Sequence, residues 1–371
     1  MSHVIENPAA DLRSLGVAHD PQAVLAYHRT LPEYRRTPLV RADALAARLG
    51  VRTVWVKNEA SRLGLPAFKI LGASWATARA ISTRLGVDLA GLTLDGLTDA
   101  VQRDDRLKRL VAATDGNHGR AVARMAKLLG LESLIFVPEG TVASRIEAIE
   151  SEGATVIVHP DNYDSAVRKA AEEESDDTMV IADTAWEGYT DIPRWVVDGY
   201  STITQEVREE LSAAGEPLPD VIAVQMGVGA FAASVVENFA DLAPRVIGVE
   251  PEKVACIAQS IEAGHIVPIE GQLDSIMAGL NCGEPSPIAW PALQKGLAEV
   301  VLVSDADAEE AMRALAAEGV VAGESGAAGL AGLLVAADSL GPDDVVLVVN
   351  TEGATDPLTY ERIIGAAPAA G

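Results

Sequence analysis

The residue of this chain best placed for covalent chemistry is Lys69, which stands between Phe68 and Ile70. The polar, glycine-punctuated segment 58–66 precedes it, and the Ala- and Ile-rich run 74–85, which predicts a helix, follows it. Apolar surroundings disfavour the ammonium form, so burial lowers the pKa of a lysine from its usual value of about 10.4. A neutral amine is the form that reacts with a carbonyl to give a Schiff base. For this lysine alone, a surface residue whose stem packs on the core is the better interpretation.

A second concentration of polar residues lies in the loop 114–120, between a short apolar run and the helix-like segment 121–129. It contains Asp115, Asn117 and His118 among glycines. A loop of this kind at a helix N-terminus can direct backbone N–H groups, an amide and a carboxylate into one cleft. An ordinary helix cap and turn explain the same pattern equally well.

A glycine-rich loop, 227–230, directly follows the predicted strand 221–225. Its glycines let the backbone approach an oxyanion, and the next helix contributes its positive N-terminal end, so the loop predicts a phosphate site. With Ala232 as a third small residue and Glu250 about 20 residues further on, the same segment fits a dinucleotide fingerprint. Read in isolation, it favours NAD and therefore an NAD-dependent dehydrogenase.

Two other polar segments lie at the carboxyl ends of predicted strands. Asp183 opens the run 183–189, which also carries Trp186, and Thr351 follows the last strand, 345–348. Groups at the carboxyl ends of parallel strands tend to face ligands. A hydroxyl and an amide after the last strand could hold a cofactor ring.

These loops need a scaffold of strands that alternate with helices, and the sequence predicts one. Valine- and isoleucine-rich runs indicate strands that are buried on both faces, and helix-like segments separate them. The pattern predicts an α/β fold with mostly parallel sheets flanked by helices. The predicted strands are 52–56, 134–137, 155–158, 180–183, 221–225, 246–249, 300–303 and 345–348, and the polar stretch 88–108 is predicted to be a surface excursion.

Composition narrows the classes of function. The 371 residues carry a formal charge of -25, so a nucleic acid or an anionic membrane is a poor partner. The sequence shows no apolar run that could span a bilayer and no signal-peptide pattern, which predicts a cytoplasmic protein. Two cysteines are too few for a disulfide framework or for a Cys-rich zinc site. Because the six histidines also lack the spacing of metal ligands, no metal is expected.

Taken together, four motifs resemble the pyridoxal-phosphate enzymes of the tryptophan synthase β fold type, fold type II. They are 67–72, 114–119, 227–230 and 350–353, and the resemblance runs from about residue 35 to 364. The segments 183–189 and 277–285 are similar to those of the diaminopropionate ammonia-lyase family. Because several motifs over most of the chain share this resemblance, it outweighs the isolated dinucleotide fingerprint at 227–232.

The resemblance implies pyridoxal 5'-phosphate as cofactor and a role for each motif. Lys69 is expected to form the internal aldimine, Asn117 to contact the ring hydroxyl, and Thr351 to contact the pyridine nitrogen. For catalysis, Lys69 is expected to take the Cα proton of the L-isomer, Asp115 that of the D-isomer, and Asp183 to hold the distal ammonium of the substrate. The residues expected to cradle the phosphate are Gly227, Val228, Gly229, Ala230 and Phe231.

The reaction implied is α,β-elimination of 2,3-diaminopropionate, through aminoacrylate, to pyruvate and two ammonia molecules. A serine or threonine dehydratase, or another lyase of this fold, remains an alternative. The expected architecture has a large cofactor-binding domain, 1–76 and 199–371, and an inserted small domain, 77–198. The family is expected to form homodimers, and whether Cys256 and Cys282 pair stays open.

Overall fold

The computed structural model describes residues 3–17, 19–104, 106–114, 116–160, 163–269, 271 and 273–368. Within these ranges the chain forms two β-sheets with helices packed around them. The strands are β1 (Val4–Glu6), β2 (Leu39–Arg41), β3 (Thr53–Asn58), β4 (Arg109–Ala113), β5 (Glu132–Pro138), β6 (Thr155–His159), β7 (Thr178–Val180), β8 (Val221–Gln225), β9 (Arg245–Pro251), β10 (Glu299–Val303) and β11 (Val345–Asn350). The helices are α1 (Pro21–His28), α2 (Asp43–Leu49), α3 (Lys69–Leu85), α4 (Leu94–Asp104), α5 (Asn117–Leu129), α6 (Ala143–Glu150), α7 (Tyr163–Ala171), α8 (Asp191–Gly199), α9 (Ser201–Ala214), α10 (Ala230–Phe239), α11 (Cys256–Ala263), α12 (Trp290–Gly296), α13 (Asp305–Ala317), α14 (Glu324–Val335) and α15 (Pro357–Ile364).

The larger sheet has seven strands among the described residues, in the order β1-β10-β9-β8-β11-β3-β2. Its five central strands are parallel, and the two edge strands, β1 and β2, pair antiparallel with their neighbours. The smaller sheet, in the order β6-β5-β4-β7, is parallel throughout. The predicted α/β class with mostly parallel sheets is therefore confirmed.

Both faces of the larger sheet are covered by helices, as the continuous apolar strands predict. In β11, Leu347 packs into one hydrophobic cluster, whereas Val346 and Val348 pack into the other. In β8, Ile222 and Ala223 are divided between the same two clusters. Alternate side chains of a strand point to opposite faces, so each face of the sheet has its own core.

The structure differs from the predicted elements in two respects. The short strands β1, β2 and β4 were not predicted, and the predicted strand 180–183 ends earlier, because β7 stops at Val180. The predicted surface excursion 88–108 is wrong in part, since it contains α4. That helix buries Leu94, Leu97 and Val101, which recur at the spacing of one helix face.

The polar loops identified in the sequence all follow the carboxyl ends of parallel strands. The loops after β3, β8 and β11 leave the larger sheet, and those after β4 and β7 leave the smaller one. This is the edge at which open α/β sheets bind ligands. In the part of the chain that the structure describes, no helix is both long and apolar enough to cross a membrane.

Candidate active site

These loops meet at a cleft that brings together almost all of the predicted site residues. Asp115 lies outside the described residues, so the structure gives no account of its position. The predicted residues that line the cleft are Lys69, Asn117, Asp183, Gly227, Val228, Gly229, Ala230, Phe231 and Thr351.

Lys69 is the first residue of α3, and the segment before it is fixed to the end of β11. The backbone N–H of Phe68 donates to the carbonyl of Thr351 at 3.1 Å, and the N–H of Gly353 donates to Pro66 at 2.8 Å. On its other side, α3 packs closely on α8, because a Cβ on Gly199 would lie 2.5 Å from the carbonyl oxygen of Leu71. The start of α3 is thus held between two elements, which fixes where the lysine side chain begins.

The side chain of Lys69 is paired with Asp183, a contact that the sequence did not predict. Its Nζ lies 2.7 Å from Oδ2 of Asp183, and the hydroxyl of Tyr163 donates to the other carboxylate oxygen at 3.0 Å. Nδ1 of His118 lies 3.9 Å from the same carboxylate, while its Nε2 donates to the carbonyl of Ile181 at 2.8 Å. The apolar contact with Phe68 is therefore only one part of the lysine's surroundings.

The carboxylate of Asp183 stays ionised in this setting. Burial opposes its ionisation, but the charges of Lys69 and His118 and the hydrogen bonds from Lys69 and Tyr163 outweigh it and lower the pKa of Asp183 well below its usual range. A buried carboxylate that already holds one ammonium group is a suitable partner for another.

The loop 227–230 precedes α10, with Gly229 at the helix cap. Gly229 has a φ of 92°, and no side chain caps the helix. The first N–H groups of a helix have no partner within the helix, so those of α10 are available to an anion in the cleft. The ring of Phe231 packs against Phe68 with centroids 4.7 Å apart, and so its contribution to an anion site is its backbone.

Thr351 is oriented by Gln225, the last residue of β8. Nε2 of Gln225 donates to Oγ1 of Thr351 at 2.9 Å, and it also lies within hydrogen-bond distance of the carbonyls of Ser325 and Val349. Because the hydroxyl oxygen accepts this bond, the hydroxyl hydrogen of Thr351 is left to donate into the cleft. This suits a ring nitrogen that carries no proton.

Asn117, the first residue of α5, reaches across the cleft to the loop after β11. Its Nδ2 donates to Oε2 of Glu352 at 2.5 Å, and Glu352 is buried. The second N–H of the amide remains for an acceptor such as a ring hydroxyl. A lysine, a helix N-terminus that can receive a phosphate and two donors that can reach a ring thus surround one space, and together they fit pyridoxal phosphate.

Comparison with known proteins agrees with this geometry. The family model described as "Pyridoxal-phosphate dependent enzyme" matches residues 30–352. The chain belongs to this family. It is 36% identical to diaminopropionate ammonia-lyase of Salmonella typhimurium, over 96% of this chain and 94% of that protein. It is 38% identical to the enzyme of the same name from Escherichia coli strain K12, over 92% of this chain and 91% of that protein.

A solved structure gives the same result for the fold. The diaminopropionate ammonia-lyase of Escherichia coli in complex with an aminoacrylate-PLP azomethine reaction intermediate superposes with a TM-score of 0.87 and 34% identity, over 97% of this chain and 96% of that one. The resemblance found in the sequence is confirmed, and the cofactor of this chain is pyridoxal 5'-phosphate.

The competing dinucleotide interpretation does not fit the structure. Its acidic residue, Glu250, is fully buried, and its carboxylate accepts hydrogen bonds from the backbone N–H groups of Ile257 and Ala258 at 2.9 and 2.7 Å. It is therefore occupied within the protein instead of facing a ribose.

Cys256 follows in the same region, and in the described structure Cys256 and Cys282 carry thiols, with no disulfide bond between them.

Sequence reasoning missed four residues that shape the site: Gln225, Glu352, Tyr163 and His118. Gln225 had a detectable signal, because a polar residue that ends a buried strand needs a partner. Glu352 lies within the predicted motif 350–353, and His118 within 114–119, but neither was given a role. For Tyr163 the sequence carries no signal, since its contact with Asp183 depends on the folding of the smaller sheet.

The glycine loop allows a direct test of the phosphate site. A Cβ on Gly229 would lie 2.4 Å from Cδ1 of Leu293, and the positive φ disfavours any L side chain. We expect Gly229→Ala to raise the dissociation constant of pyridoxal phosphate at least about tenfold, as measured by titrating the apoprotein. Gly264→Ala is the matched control, because Gly264 has a φ of 74° and open space around it. Equal affinities in the two variants would contradict the assignment.

Proposed function

We propose that this chain catalyses the α,β-elimination of ammonia from 2,3-diaminopropionate, as its relatives' name describes. With one water molecule, the products are pyruvate and two molecules of ammonia. The observation that carries the proposal is the ion pair of Lys69 with the buried Asp183 at 2.7 Å. It places an amine that can accept or donate a proton beside a carboxylate that can bind a second ammonium group.

The chain's own residues divide the work as follows. Bound pyridoxal phosphate supplies an electron sink for the carbon that loses its proton. Lys69 is positioned to take the Cα proton of the L-isomer, which requires its amine to be neutral at that stage. When the lysine amine is engaged elsewhere, Tyr163 keeps the carboxylate of Asp183 oriented, and a cationic group of the substrate takes the place of the lysine ammonium beside it. Asp183 then pairs with the distal ammonium of the substrate and favours its departure in protonated form.

The residues around the ring favour elimination over transamination. Thr351 offers a hydroxyl hydrogen to the ring nitrogen, and a neutral hydroxyl cannot stabilise a protonated nitrogen as a carboxylate would. Asn117 is held for the ring hydroxyl by Glu352. The first turn of α10 provides the N–H groups for the phosphate.

The alternative reaction is dehydration of serine or threonine at the same site. Those substrates carry a neutral hydroxyl in place of the second ammonium. A buried, ionised carboxylate next to the lysine is better suited to a cation than to a hydroxyl, because a hydroxyl leaves the charge uncompensated. The two curated relatives described above are both diaminopropionate ammonia-lyases, which also argues against this alternative.

The proposal is tested by keto-acid release from the purified protein at saturating pyridoxal phosphate. D- and L-2,3-diaminopropionate, serine and threonine are assayed separately. We expect pyruvate from the diamino acids with a much higher kcat/KM than from serine. A preference for serine or threonine would leave the fold and Lys69 in place but would overturn the role of Asp183.

The use of both substrate isomers requires a base on each face of the ring, and Asp115 is the proposed second base. Asp115→Asn should lower kcat/KM for D-2,3-diaminopropionate by about 10²-fold or more and leave the L-isomer within a few-fold of the original value. The isomer ratio is obtained from parallel keto-acid assays. If turnover of both isomers fell equally, the assignment to opposite faces would be wrong.

We extend the proposal to the domains, the assembly and the location of the protein. The smaller sheet uses only strands between 109 and 180, which supports a small domain at 77–198 inserted in a large domain formed by 1–76 and 199–371. A homodimer is what the family resemblance implies, and light scattering of the purified protein tests it. The thiols of Cys256 and Cys282 suit the reducing cytoplasm, which cell fractionation tests.

A further inference from the structure

A second cavity adjoins the cleft, and none of the roles assigned above uses it. It has a volume of about 570 Å³, and Tyr163 and Asn281 line both spaces. A water molecule occupies about 30 Å³ in the liquid, so the cavity has room for a small amino acid and its hydration. Because the same two side chains belong to both linings, a molecule in the outer cavity is next to the cleft.

Glu324 is the unusual group in the wall of this outer cavity. It is the first residue of α14, and it is only 5% exposed. Burial raises its pKa to about 7, the neighbouring carboxylates of Glu352 and Asp356 act in the same direction, and the charge of Arg145 opposes them. Within the described ranges, no lysine, arginine or histidine forms an ion pair with Glu324. A buried carboxylate of this kind is stabilised by a cation that brings its own N–H donors.

The remaining wall of the cavity carries charges of both signs. Arg145 and Arg362 line it together with Asp356 and Thr359. A simple metal cation would use only the acidic part of this lining, whereas an amino acid with an extra ammonium group has partners for its carboxylate as well. The formal charge of -25 for the whole chain also favours the approach of a cationic molecule.

We infer that the outer cavity binds the diamino substrate on its way to the cleft, with Glu324 pairing with its distal ammonium group. The positive charges of Arg145 and Arg362 in the wall, the latter also paired with Glu309 at 3.1 Å, attract the carboxylate of the same molecule. Ammonium released by the reaction has the same chemistry and would compete for Glu324. The inference rests on the proposed function, because the diamino substrate has a distal ammonium group, whereas serine carries a neutral hydroxyl at that position.

The test compares two substrates that use the same cofactor chemistry. In the holoenzyme, Glu324→Gln should lower kcat/KM for 2,3-diaminopropionate about tenfold, mainly through KM, and change that for serine less than about twofold. Glu139→Gln is the matched control, because Glu139 lines the same cavity but is exposed. It loses the same charge without removing a buried partner, and we expect both substrates to be almost unaffected.

A purely structural role for Glu324 gives a different result. A glutamate at the first position of a helix stabilises it through the helix dipole, so its loss would lower the thermal stability and impair both substrates alike. Equal losses for serine and diaminopropionate, or no loss for either, would overturn the inference.

Ammonium chloride provides an arm that does not depend on turnover of the diamino acid. In calorimetric titrations of the wild-type holoenzyme at equal ionic strength, we expect ammonium chloride to bind and potassium chloride not to bind, and Glu324→Gln to remove this difference. If the protein acted on serine alone, the proposed function would fail while these measurements still decided whether Glu324 binds ammonium. Equal responses of the wild type and the variant would refute the site.

Discussion

Lys69→Ala is expected to lower kcat for 2,3-diaminopropionate by at least about 10³-fold, since the proposed covalent attachment and proton transfer both depend on one amine. Among the described residues that line the cleft, Lys69 is the only lysine. No second amine is therefore in place to substitute for it. The variant should also fail to retain pyridoxal phosphate after borohydride treatment, whereas the wild type should carry it covalently at Lys69, as mass spectrometry of the peptides would show.

The control for this experiment is Lys253→Ala. Lys253 is exposed and pairs with Asp305 at 3.2 Å, so its removal changes the charge without touching the cleft. The dissociation constant for pyridoxal phosphate separates the two functions of Lys69. The phosphate loop and the ring contacts remain in the variant, so the cofactor should still bind, but without a covalent bond. Covalent attachment to any residue of the Lys69→Ala variant would contradict the assignment.

The sequence could predict which segments meet at the cleft because their polar residues lie in loops that follow parallel strands. Each of those strands is a compact run of apolar residues, and the polar segment begins where the run ends, as Gln225 and the loop after it show. Chain order alone then brings the loops to one edge of the sheets. Lys69, the glycine loop and Thr351 could all be placed in this way before their contacts were known.

The pairing of Lys69 with Asp183 could not be predicted in the same way. The two residues are separated by 114 positions, and they follow strands of different sheets, β3 and β7. Their distance depends on how the sheets pack together, and no local pattern encodes that. The orientation of Thr351 by Gln225, 126 positions away, has the same origin. The residue types at strand ends can be read from the local sequence, whereas the residues that they contact depend on the tertiary fold.

The short edge strands escaped prediction for a physical reason as well. β1 and β2 have three residues each and pair on one side only, so they need neither the length nor the apolar character of the central strands. The helix α4 was missed because its apolar residues, Leu94, Leu97 and Val101, are separated by charged ones and cover a single narrow face. The high average polarity of the segment 88–108 masked the helical spacing of these three apolar residues.

A network of buried ion pairs lies next to the segment 58–66, which precedes Lys69. Disruption of this network is expected to have the largest effect on stability. Arg62 donates to Glu59 and to Glu206, both at 2.7 Å, and Lys57 lies 2.8 Å from Glu206 and 2.7 Å from Glu210. The side chains of Lys57, Glu59, Arg62 and Glu206 are fully buried. Glu206, on α9, thus joins two cations that hold β3 and the loop leading to Lys69.

Glu206→Gln should lower the free energy of unfolding by about 3–5 kcal/mol, because removal of one partner leaves buried cations without full compensation. Glu209→Gln, on the same helix, is the matched control. Glu209 pairs with Arg29 at 3.4 Å and with Arg36 near the surface, where an ion pair contributes about 0–1 kcal/mol. Urea unfolding of the two variants measures the difference. Equal losses of unfolding free energy in the two variants would show that the buried ion pairs stabilise the fold no more than the exposed ones.

The pH dependence gives an independent check on the charge of Glu206. Burial opposes its ionisation, but the hydrogen bonds and charges of Arg62 and Lys57 outweigh it and lower its pKa from 4.5 to about 2. A carboxyl group whose pKa is lowered by folding stabilises the folded state above its unfolded pKa and loses this contribution as the pH falls toward the folded value. The difference between wild type and Glu206→Gln should therefore stay constant from neutral pH down to about 5 and shrink below about 4.5. A difference that remained unchanged through this range would mean that the glutamine variant loses packing or hydrogen bonds, and not the charge that holds Arg62 and Lys57.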